Sequence, residues 1–136
     1  PSTFHEGPGS DVQHIDFTNP YSDLVRQQIL DAAHEADVPA VDGGCYAATQ
    51  GPRLETAAEI RRLEQDGCTL VGMTGMPEAA LARELGIDYA CCAVVVNPAA
   101  GKAAGGISMD EIRQRLDEGM GRVARILQAL CGVAPV

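Results

Sequence analysis

Three short segments of the sequence carry polar side chains that can bind a small molecule together. They span residues 50–55, 72–78 and 96–101, and they hold a carboxylate at Glu55, a hydroxyl at Thr74 and an amide at Asn97, respectively. A carboxylate accepts hydrogen bonds, whereas a hydroxyl and an amide both donate and accept, so the set suits a ligand with donors and acceptors. Each segment follows a stretch predicted to be a β-strand. Because ligands of open α/β sheets bind beyond the carboxyl ends of the strands, we expect the three side chains to face one crevice.

Helices and strands alternate along the chain and would position these segments. Apolar residues at helical spacing, two capping-box patterns that begin at Thr56 and Ser108, and a helix opened by Pro77 and ended by Gly86 define the helical regions. Helices are predicted over residues 22–36, 56–65 and 77–85, and from residue 108 towards the C terminus. A loop of small residues is predicted over 99–106, and the last helix should carry one apolar stripe, formed by Met109, Ile112, Leu116, Met120, Val123, Leu127 and Leu130.

Strands are predicted between these helices, over residues 38–48, 69–73 and 89–96. Gly43 and Gly44 indicate a bend or bulge in the first strand. The third is a continuous apolar run, as expected for a strand covered on both faces. The fold class is therefore α/β, with a mixed, mostly parallel sheet flanked by helices.

Composition restricts the function further. The 136 residues suit one domain, and a net charge of −9 argues against general affinity for nucleic acids or acidic membranes. No apolar run is long enough to span a membrane and no signal-peptide pattern is present, so we expect a cytoplasmic protein. The five cysteines form no CxxC pair and no cluster with histidine, so no metal site is predicted.

Two long strings carry a family resemblance. YAATQGPRLETAAEI, residues 46–60, and VGMTGMPEAALARELGIDYA, residues 71–90, resemble the nucleoside phosphorylase family that includes methylthioadenosine phosphorylase and the trimeric purine nucleoside phosphorylases. The resemblance covers about the second half of such an enzyme, so residues 1–136 are expected to be the C-terminal part of a single domain. The family's Gly-rich phosphate loop and Arg–His pair lie in its first half, and we expect residues 1–136 alone to be inactive.

The resemblance implies phosphorolysis, in which phosphate attacks the ribosyl C1′ and the purine leaves. Catalysis then rests on positioning and on electrostatic stabilisation of the departing base. Phosphate is a co-substrate, and neither a cofactor nor a metal is expected.

Several residues acquire roles by the same resemblance. The Met73 backbone N–H would meet a ribose hydroxyl, the Thr74 hydroxyl would meet phosphate, and Leu54 would pack on the purine face. A hydroxyl beside a helix N-terminus suits an anion. The alternative for Thr74 is a helix cap.

Glu55 and Asn97 are the residues that would choose the base. Glu at this position is characteristic of family members for 6-oxopurines, where it accepts the N1–H. Asn97 would be catalytic, donating to O6 and accepting from N7–H, where the methylthioadenosine enzymes have Asp, and Ala99 replaces the second Asp of the adenine pattern. The alternatives are a first-turn helical Glu and an Asn-Pro turn. Together the two residues favour hypoxanthine.

The 5′ substituent of the sugar would lie against Met109 and Ile112, by resemblance. Ordinary purine nucleoside phosphorylases place a His at the Met109 position, and an apolar residue there suits a thioether. The alternative for Met109 is core packing. His14 lies in a segment that reaches the neighbouring subunit's site in the family, which implies a homotrimer. The alternative is a structural histidine.

These residues predict a function in purine salvage. The expected reaction cleaves 5′-methylthioinosine with phosphate to hypoxanthine and 5-methylthioribose 1-phosphate. Two alternatives of the same fold are a 5′-methylthioadenosine phosphorylase and an inosine/guanosine phosphorylase. A third alternative is a non-catalytic assembly or ligand-binding domain.

Overall fold

A computed structural model describes residues 2–103 and 108–132 of the chain. The elements, in chain order, are α1 (Asp23–Glu35), β1 (Tyr46–Ala48), α2 (Ala57–Gln65), β2 (Leu70–Gly72), α3 (Glu78–Glu84) and α4 (Met109–Leu130). The two strands form a parallel pair in which Tyr46 lies opposite Leu70 and Ala48 opposite Gly72. Helices and a parallel strand pair thus alternate as predicted.

The helices begin at the residues that the sequence indicates. The Ser22 hydroxyl accepts from the Val25 N–H before α1, and the Ser108 hydroxyl accepts from the Glu111 N–H before α4. At α2, Thr56 and Glu59 make both bonds of a capping box. These side chains satisfy backbone donors that have no partner within the first helical turn.

Helix α3 differs slightly from its prediction. Pro77 lies at the N-cap position, one residue before the helix, instead of at the first helical position. Gly86 follows the helix with φ of +66°, a conformation that glycine adopts without a Cβ penalty, so the predicted end is confirmed.

The first strand is much shorter than predicted. Only Tyr46–Ala48 of residues 38–48 pairs with a neighbour. Gly43 and Gly44 have φ of +86° and +122°, which turns the chain out of the extended conformation just before β1. The strand therefore begins only after the two glycines, which do not form a bulge within it.

The prediction of a strand over residues 89–96 is wrong for the described structure. The segment makes no ladder, and Cys91, Cys92 and Val95 are exposed, Val95 to 65%. A strand needs a neighbour to pair its N–H and C=O groups, and within the described residues only β1 and β2 pair. Its apolar composition shows that it can be buried, but burial requires a covering element.

The core lies between α1 and α4. Its buried residues are Ala32, Ala33, Val38 and Ile126, with Ile29, Ala36 and Ala129 packed against them. The predicted apolar stripe of α4 does not include Ile126, and its members Leu116, Met120, Leu127 and Leu130 are 37–50% exposed. Among the described elements α1 is the main neighbour of α4, and it covers only part of the apolar surface of α4. No helix of the described chain is long and apolar enough to cross a membrane.

Candidate functional site

The Glu55 carboxylate lies against the carboxyl end of β1. Thr49, the residue after β1, extends the ladder by donating its N–H to the Gly72 carbonyl at 2.8 Å. Its hydroxyl lies 2.5 Å from Oε1 of Glu55 and donates to it. Both side chains are half-buried. The loop over residues 50–54 therefore brings a carboxylate back against the carboxyl end of the sheet.

Glu55 is not the helical carboxylate of the alternative interpretation. It precedes the N-cap Thr56, and the acidic residue of the first turn of α2 is Glu59. Arg53 donates from both terminal nitrogens to the Glu59 carboxylate, at 2.9 and 2.7 Å. These bonds and the capping bond from Thr56 hold the pKa of Glu59 at about 2 instead of 4.5. The cation of this loop thus pairs with Glu59, and Glu55 makes no ion pair within the described chain.

The segment after β2 is packed tightly on Tyr46. The Thr74 N–H donates to the Tyr46 hydroxyl at 3.3 Å. A Cβ at Gly72 would lie 2.2 Å from that hydroxyl, and one at Gly75 would lie 2.9 Å from the ring. Only glycine fits at these positions, because real Cβ contacts are never that short. The tyrosine therefore fixes the backbone on both sides of Met73 and Thr74.

Thr74 itself is exposed, and its side chain does not cap α3. The helix begins at Glu78, so Thr74 lies four residues before it and not directly at its N-terminus. The cap alternative is therefore not observed, and the hydroxyl has no hydrogen-bond partner among the described residues.

Close contacts at two glycines hold the first segment on the second and the third segment on α2. A Cβ at Gly51 would lie 2.6 Å from Sδ of the half-buried Met73, which places the first segment on the second. A Cβ at Gly101 would lie 2.7 Å from Cβ of Ala57, at the start of α2. The first two segments therefore lie against each other, and the third packs on the start of α2, two residues after Glu55.

Asn97 is half-buried in the third segment. One N–H of its side-chain amide donates to the Pro98 carbonyl at 2.7 Å, so the Asn-Pro turn of the alternative interpretation is present. An amide nitrogen carries two hydrogens and the amide oxygen accepts, so a donor and an acceptor remain. Lys102 and Glu64 form an ion pair at 2.5 Å that ties this segment to α2.

A cleft of about 300 Å³ opens beside Glu55. Its lining includes Thr49, Gln50, Arg53, Glu55, Glu59 and Arg62, and neither Thr74 nor Asn97 belongs to it. Leu54 is 49% exposed and is not part of this lining. A second cleft, of about 350 Å³, lies at the end of α1 and contains none of the predicted site residues.

The remaining predicted residues lie farther along the chain. Met109 is the first residue of α4 and is 56% exposed, so it is not core packing here. Ile112 is half-buried. Part of the predicted loop over residues 99–106, which leads towards α4, lies outside the described residues. His14 is exposed in an irregular segment. Contact of Met109, Ile112 or His14 with a substrate stays a prediction.

The sequence does not single out two residues that support the site, Tyr46 and Thr49. Tyr21 stacks on Tyr89 with 6.2 Å between ring centroids, and its buried hydroxyl has no hydrogen-bond partner within the part of the chain that the structure describes. Burial raises the pKa of Tyr21. The sequence indicates Tyr46 and Thr49 only indirectly, because both lie inside the first of the two family-specific strings. In residues 2–103 and 108–132, no three acidic, His or Cys side chains are grouped closely enough to hold a metal ion.

Comparison with known proteins identifies the family. A family model described as the phosphorylase superfamily matches residues 1–131. The chain belongs to the phosphorylase superfamily. The predicted nucleoside phosphorylase resemblance is therefore confirmed at the level of the family.

Relatives within the superfamily are about twice as long as this chain. It is 56% identical to a probable S-methyl-5′-thioinosine phosphorylase of Pseudomonas syringae pv. tomato, over 93% of this chain and 53% of the relative. It is 38% identical to the 6-oxopurine nucleoside phosphorylase of Pyrococcus furiosus, over 99% of this chain and 53% of the relative. This chain thus spans about half the length of these relatives.

A solved structure shares the fold. Methylthioadenosine phosphorylase from Schistosoma mansoni, in complex with adenine, superposes with a TM-score of 0.88 at 23% identity, over 96% of this chain and 52% of that structure. The predicted α/β, nucleoside phosphorylase-like fold class is confirmed by this likeness.

Proposed function

We propose that the protein carrying this chain cleaves 5′-methylthioinosine with phosphate. The observation that carries the proposal is the half-buried Glu55 carboxylate, which lies at the carboxyl edge of the sheet and makes no ion pair among the described residues. A half-buried carboxylate without a cation is stabilised by hydrogen-bond donors, of which Thr49 supplies one. The N1–H of hypoxanthine is such a donor, whereas adenine has a lone pair at N1 that would repel it.

In the proposed reaction a phosphate oxygen bonds to C1′ while the bond from C1′ to N9 breaks. The bonding electrons move into the purine, which gains a proton at N7 while the attacking phosphate loses one, directly or through water, and the products are hypoxanthine and 5-methylthioribose 1-phosphate. Glu55 accepts from N1–H, and Asn97 donates to O6 and accepts from N7–H. The amide groups left over from the Asn97 bond to Pro98 suffice for both contacts. Donors fixed where charge develops are the main source of stabilisation.

The other contacts follow the resemblance. Leu54 packs on the purine face, the Met73 N–H binds a ribose hydroxyl, and the Thr74 hydroxyl binds phosphate. Met109 and Ile112 form the surface for the 5′-methylthio group. The exposure of Leu54 and Met109 supports these roles, because a side chain that meets substrate must be accessible.

The setting is also part of the proposal. We propose a homotrimer in which His14 of a neighbouring subunit covers the 5′ group, acting in purine salvage in the cytoplasm. Nucleoside and phosphate are its only small-molecule partners, with no cofactor or metal. The name of the 56%-identical relative supports the substrate.

The nearest alternative is an inosine/guanosine phosphorylase, and the Pyrococcus relative named for 6-oxopurines favours it. It differs only at the 5′ group. A methylthioadenosine phosphorylase is less compatible with Glu55, and a non-catalytic domain would show no turnover.

One experiment separates all four candidates. The full-length protein is incubated with phosphate and, separately, with methylthioinosine, methylthioadenosine or inosine, and base release is followed. We expect the highest kcat/KM for methylthioinosine, and none without phosphate. A higher value for methylthioadenosine or for inosine identifies the corresponding alternative, and no release from any nucleoside identifies the non-catalytic one.

A further inference from the structure

We infer that Thr49 is a positioning residue that orients the Glu55 carboxylate and thereby makes the site selective for 6-oxopurines. The inference rests on the proposed function, since it concerns the base contact of that site. Thr49 does not touch the base itself. It acts by holding one oxygen of Glu55, so that the other oxygen points at the ligand.

The strand pair holds the backbone of Thr49 in place. Its N–H donates to the Gly72 carbonyl at 2.8 Å, which makes it part of the parallel ladder. It is half-buried, and a threonine has few χ1 rotamers because its Cβ is branched. The position of its hydroxyl is therefore set by the sheet and not by the loop.

The hydroxyl hydrogen has two acceptors within reach. Oε1 of Glu55 lies at 2.5 Å and the Gly72 carbonyl oxygen at 3.3 Å. The carbonyl already receives the Thr49 N–H, and bonds to a carboxylate are shorter and stronger than bonds between neutral groups. The hydroxyl therefore donates to Glu55.

No other described residue holds the Glu55 carboxylate. The nearby Arg53 uses both terminal nitrogens on Glu59, which also receives the Thr56 N–H. Glu55 lies before the N-cap of α2, so the helix does not fix its side chain. A glutamate side chain has considerable rotamer entropy, and fixing it before binding spares that cost when the ligand arrives.

Selectivity follows from this arrangement. With Oε1 held by Thr49, Oε2 is the oxygen left to accept N1–H from a 6-oxopurine. The same fixed oxygen faces the N1 lone pair of adenine, and it cannot turn away while Thr49 holds it. Removing the hydroxyl should weaken binding of the 6-oxopurine and leave the 6-aminopurine unchanged or slightly better bound.

The test compares Thr49→Val with Thr49→Ser in the full-length protein. Valine has the same shape without the hydroxyl, and serine restores it. We measure kcat/KM for methylthioinosine and methylthioadenosine, and the Kd of free hypoxanthine and adenine by calorimetry. Thr49→Val should lower the 6-oxo to 6-amino ratio about tenfold, the size of one hydrogen bond to a charged group, in both measurements. Thr49→Ser should restore it to within about threefold of the wild type.

Thr69 supplies the matched control. Its hydroxyl accepts from the Cys45 N–H at 2.9 Å, at the opposite end of the same strand pair. Thr69→Val makes the same chemical change away from Glu55, so it should alter stability without changing the base ratio. Thr49→Val should also have no effect on the ratio when Glu55 is already alanine.

The outcomes separate the inference from the proposed function. If the wild type cleaves methylthioinosine but Thr49→Val keeps the wild-type ratio, or Thr49→Ser fails to restore it, Thr49 does not position Glu55 and the function stands. If the wild type neither cleaves nor binds a 6-oxopurine, both are overturned. If it binds hypoxanthine without turnover, and Thr49→Val weakens that binding, the positioning role stands and the phosphorylase activity does not.

Discussion

Arg53 donates two hydrogen bonds to Glu59, from its two terminal nitrogens at 2.9 and 2.7 Å. The paired geometry is the favoured one for a guanidinium and a carboxylate. Because Glu59 pairs with Arg53 and also caps α2, the Thr49 hydroxyl is the one described group that bonds to the Glu55 carboxylate. Glu55, before the helix, and Glu59, in its first turn, therefore have different hydrogen-bond partners.

Glu59 should make stability depend on pH in the acidic range. Its pKa in the folded protein is about 2, against 4.5 ordinarily, with Arg53 as the largest cause. A lowered folded-state pKa contributes stability above about pH 4.5, and this contribution is lost as the pH falls towards 2. We expect Glu59→Gln to lose less unfolding free energy than the wild type between pH 5 and pH 3, measured by urea denaturation.

A second variant locates the cause of that effect. Arg53→Gln removes the largest contribution to the lowered pKa of Glu59, so its stability should also vary less over the same pH range. If the curves of wild type and both variants run parallel, the Arg53–Glu59 pair is not formed in solution.

Two glycines of α4 should respond oppositely to alanine. A Cβ at Gly119 would lie 2.2 Å from Cγ1 of Val94, whereas a Cβ at Gly121 has nothing within 4 Å. Alanine in a helix is favoured over glycine by about 1 kcal/mol, so Gly121→Ala should raise the free energy of unfolding by about that amount. Gly119→Ala should lower it by about 1–2 kcal/mol, because overpacking outweighs the same gain.

Urea unfolding of both variants tests this pair, with each serving as the other's control. A stabilised Gly119→Ala would mean that Val94 does not pack on α4. In that case the segment over residues 89–96 would not be held by this helix.

The sequence predicts the local features of this fold well because they depend on neighbouring residues. Ser22, Thr56 and Ser108 cap helices because their hydroxyls reach backbone donors three residues ahead. The segment over residues 89–96 shows the limit. Its apolar run has strand composition, but a strand depends on a neighbour that local composition does not reveal.

The features of the candidate site also fall into two groups, those that the sequence indicates and those that only the structure shows. Glu55 and Met73 lie in the two motif strings, and the structure packs Gly51 of the first string on Met73 of the second, whereas Asn97 lies outside both strings. The hydrogen bond from Thr49 to Glu55 spans a loop. The hydrogen bond from the Thr74 N–H to the Tyr46 hydroxyl joins β1 to the residues that follow β2. Spacing along the chain gives no indication of either, since both depend on how the parallel strands align.

Base choice should change when Glu55 and Asn97 are changed together. In Glu55→Ser with Asn97→Asp, the N1–H acceptor is weaker and a carboxylate can accept from a 6-amino group. Each mismatched polar contact should matter by about 1–3 kcal/mol. We expect the ratio of kcat/KM for methylthioinosine to that for methylthioadenosine to fall by at least about tenfold. Asp110→Asn, an exposed carboxylate change on α4, is the control. An unaltered ratio in the double variant would refute the base assignment.

The 5′ pocket offers the last test, through Met109→His. We expect Met109 to make the pocket apolar, so that a methylthio group is preferred over a hydroxyl. Burying the thioether and methyl gains roughly 1–3 kcal/mol, and a hydroxyl placed there loses water without finding a partner. A histidine supplies that partner, so the ratio of kcat/KM for inosine to that for methylthioinosine should rise.

Met109→Leu is the matched control, because leucine keeps the pocket apolar at similar volume and should keep the preference for methylthioinosine. Both variants should retain the wild-type melting temperature, since Met109 is 56% exposed and contributes little to the core. A Met109→His protein that folds, assembles as the wild type does and shows an unchanged ratio would remove Met109 from the site. The preference at the 5′ position would then have to come from His14 of a neighbouring subunit, and His14→Ala would be the variant to measure next.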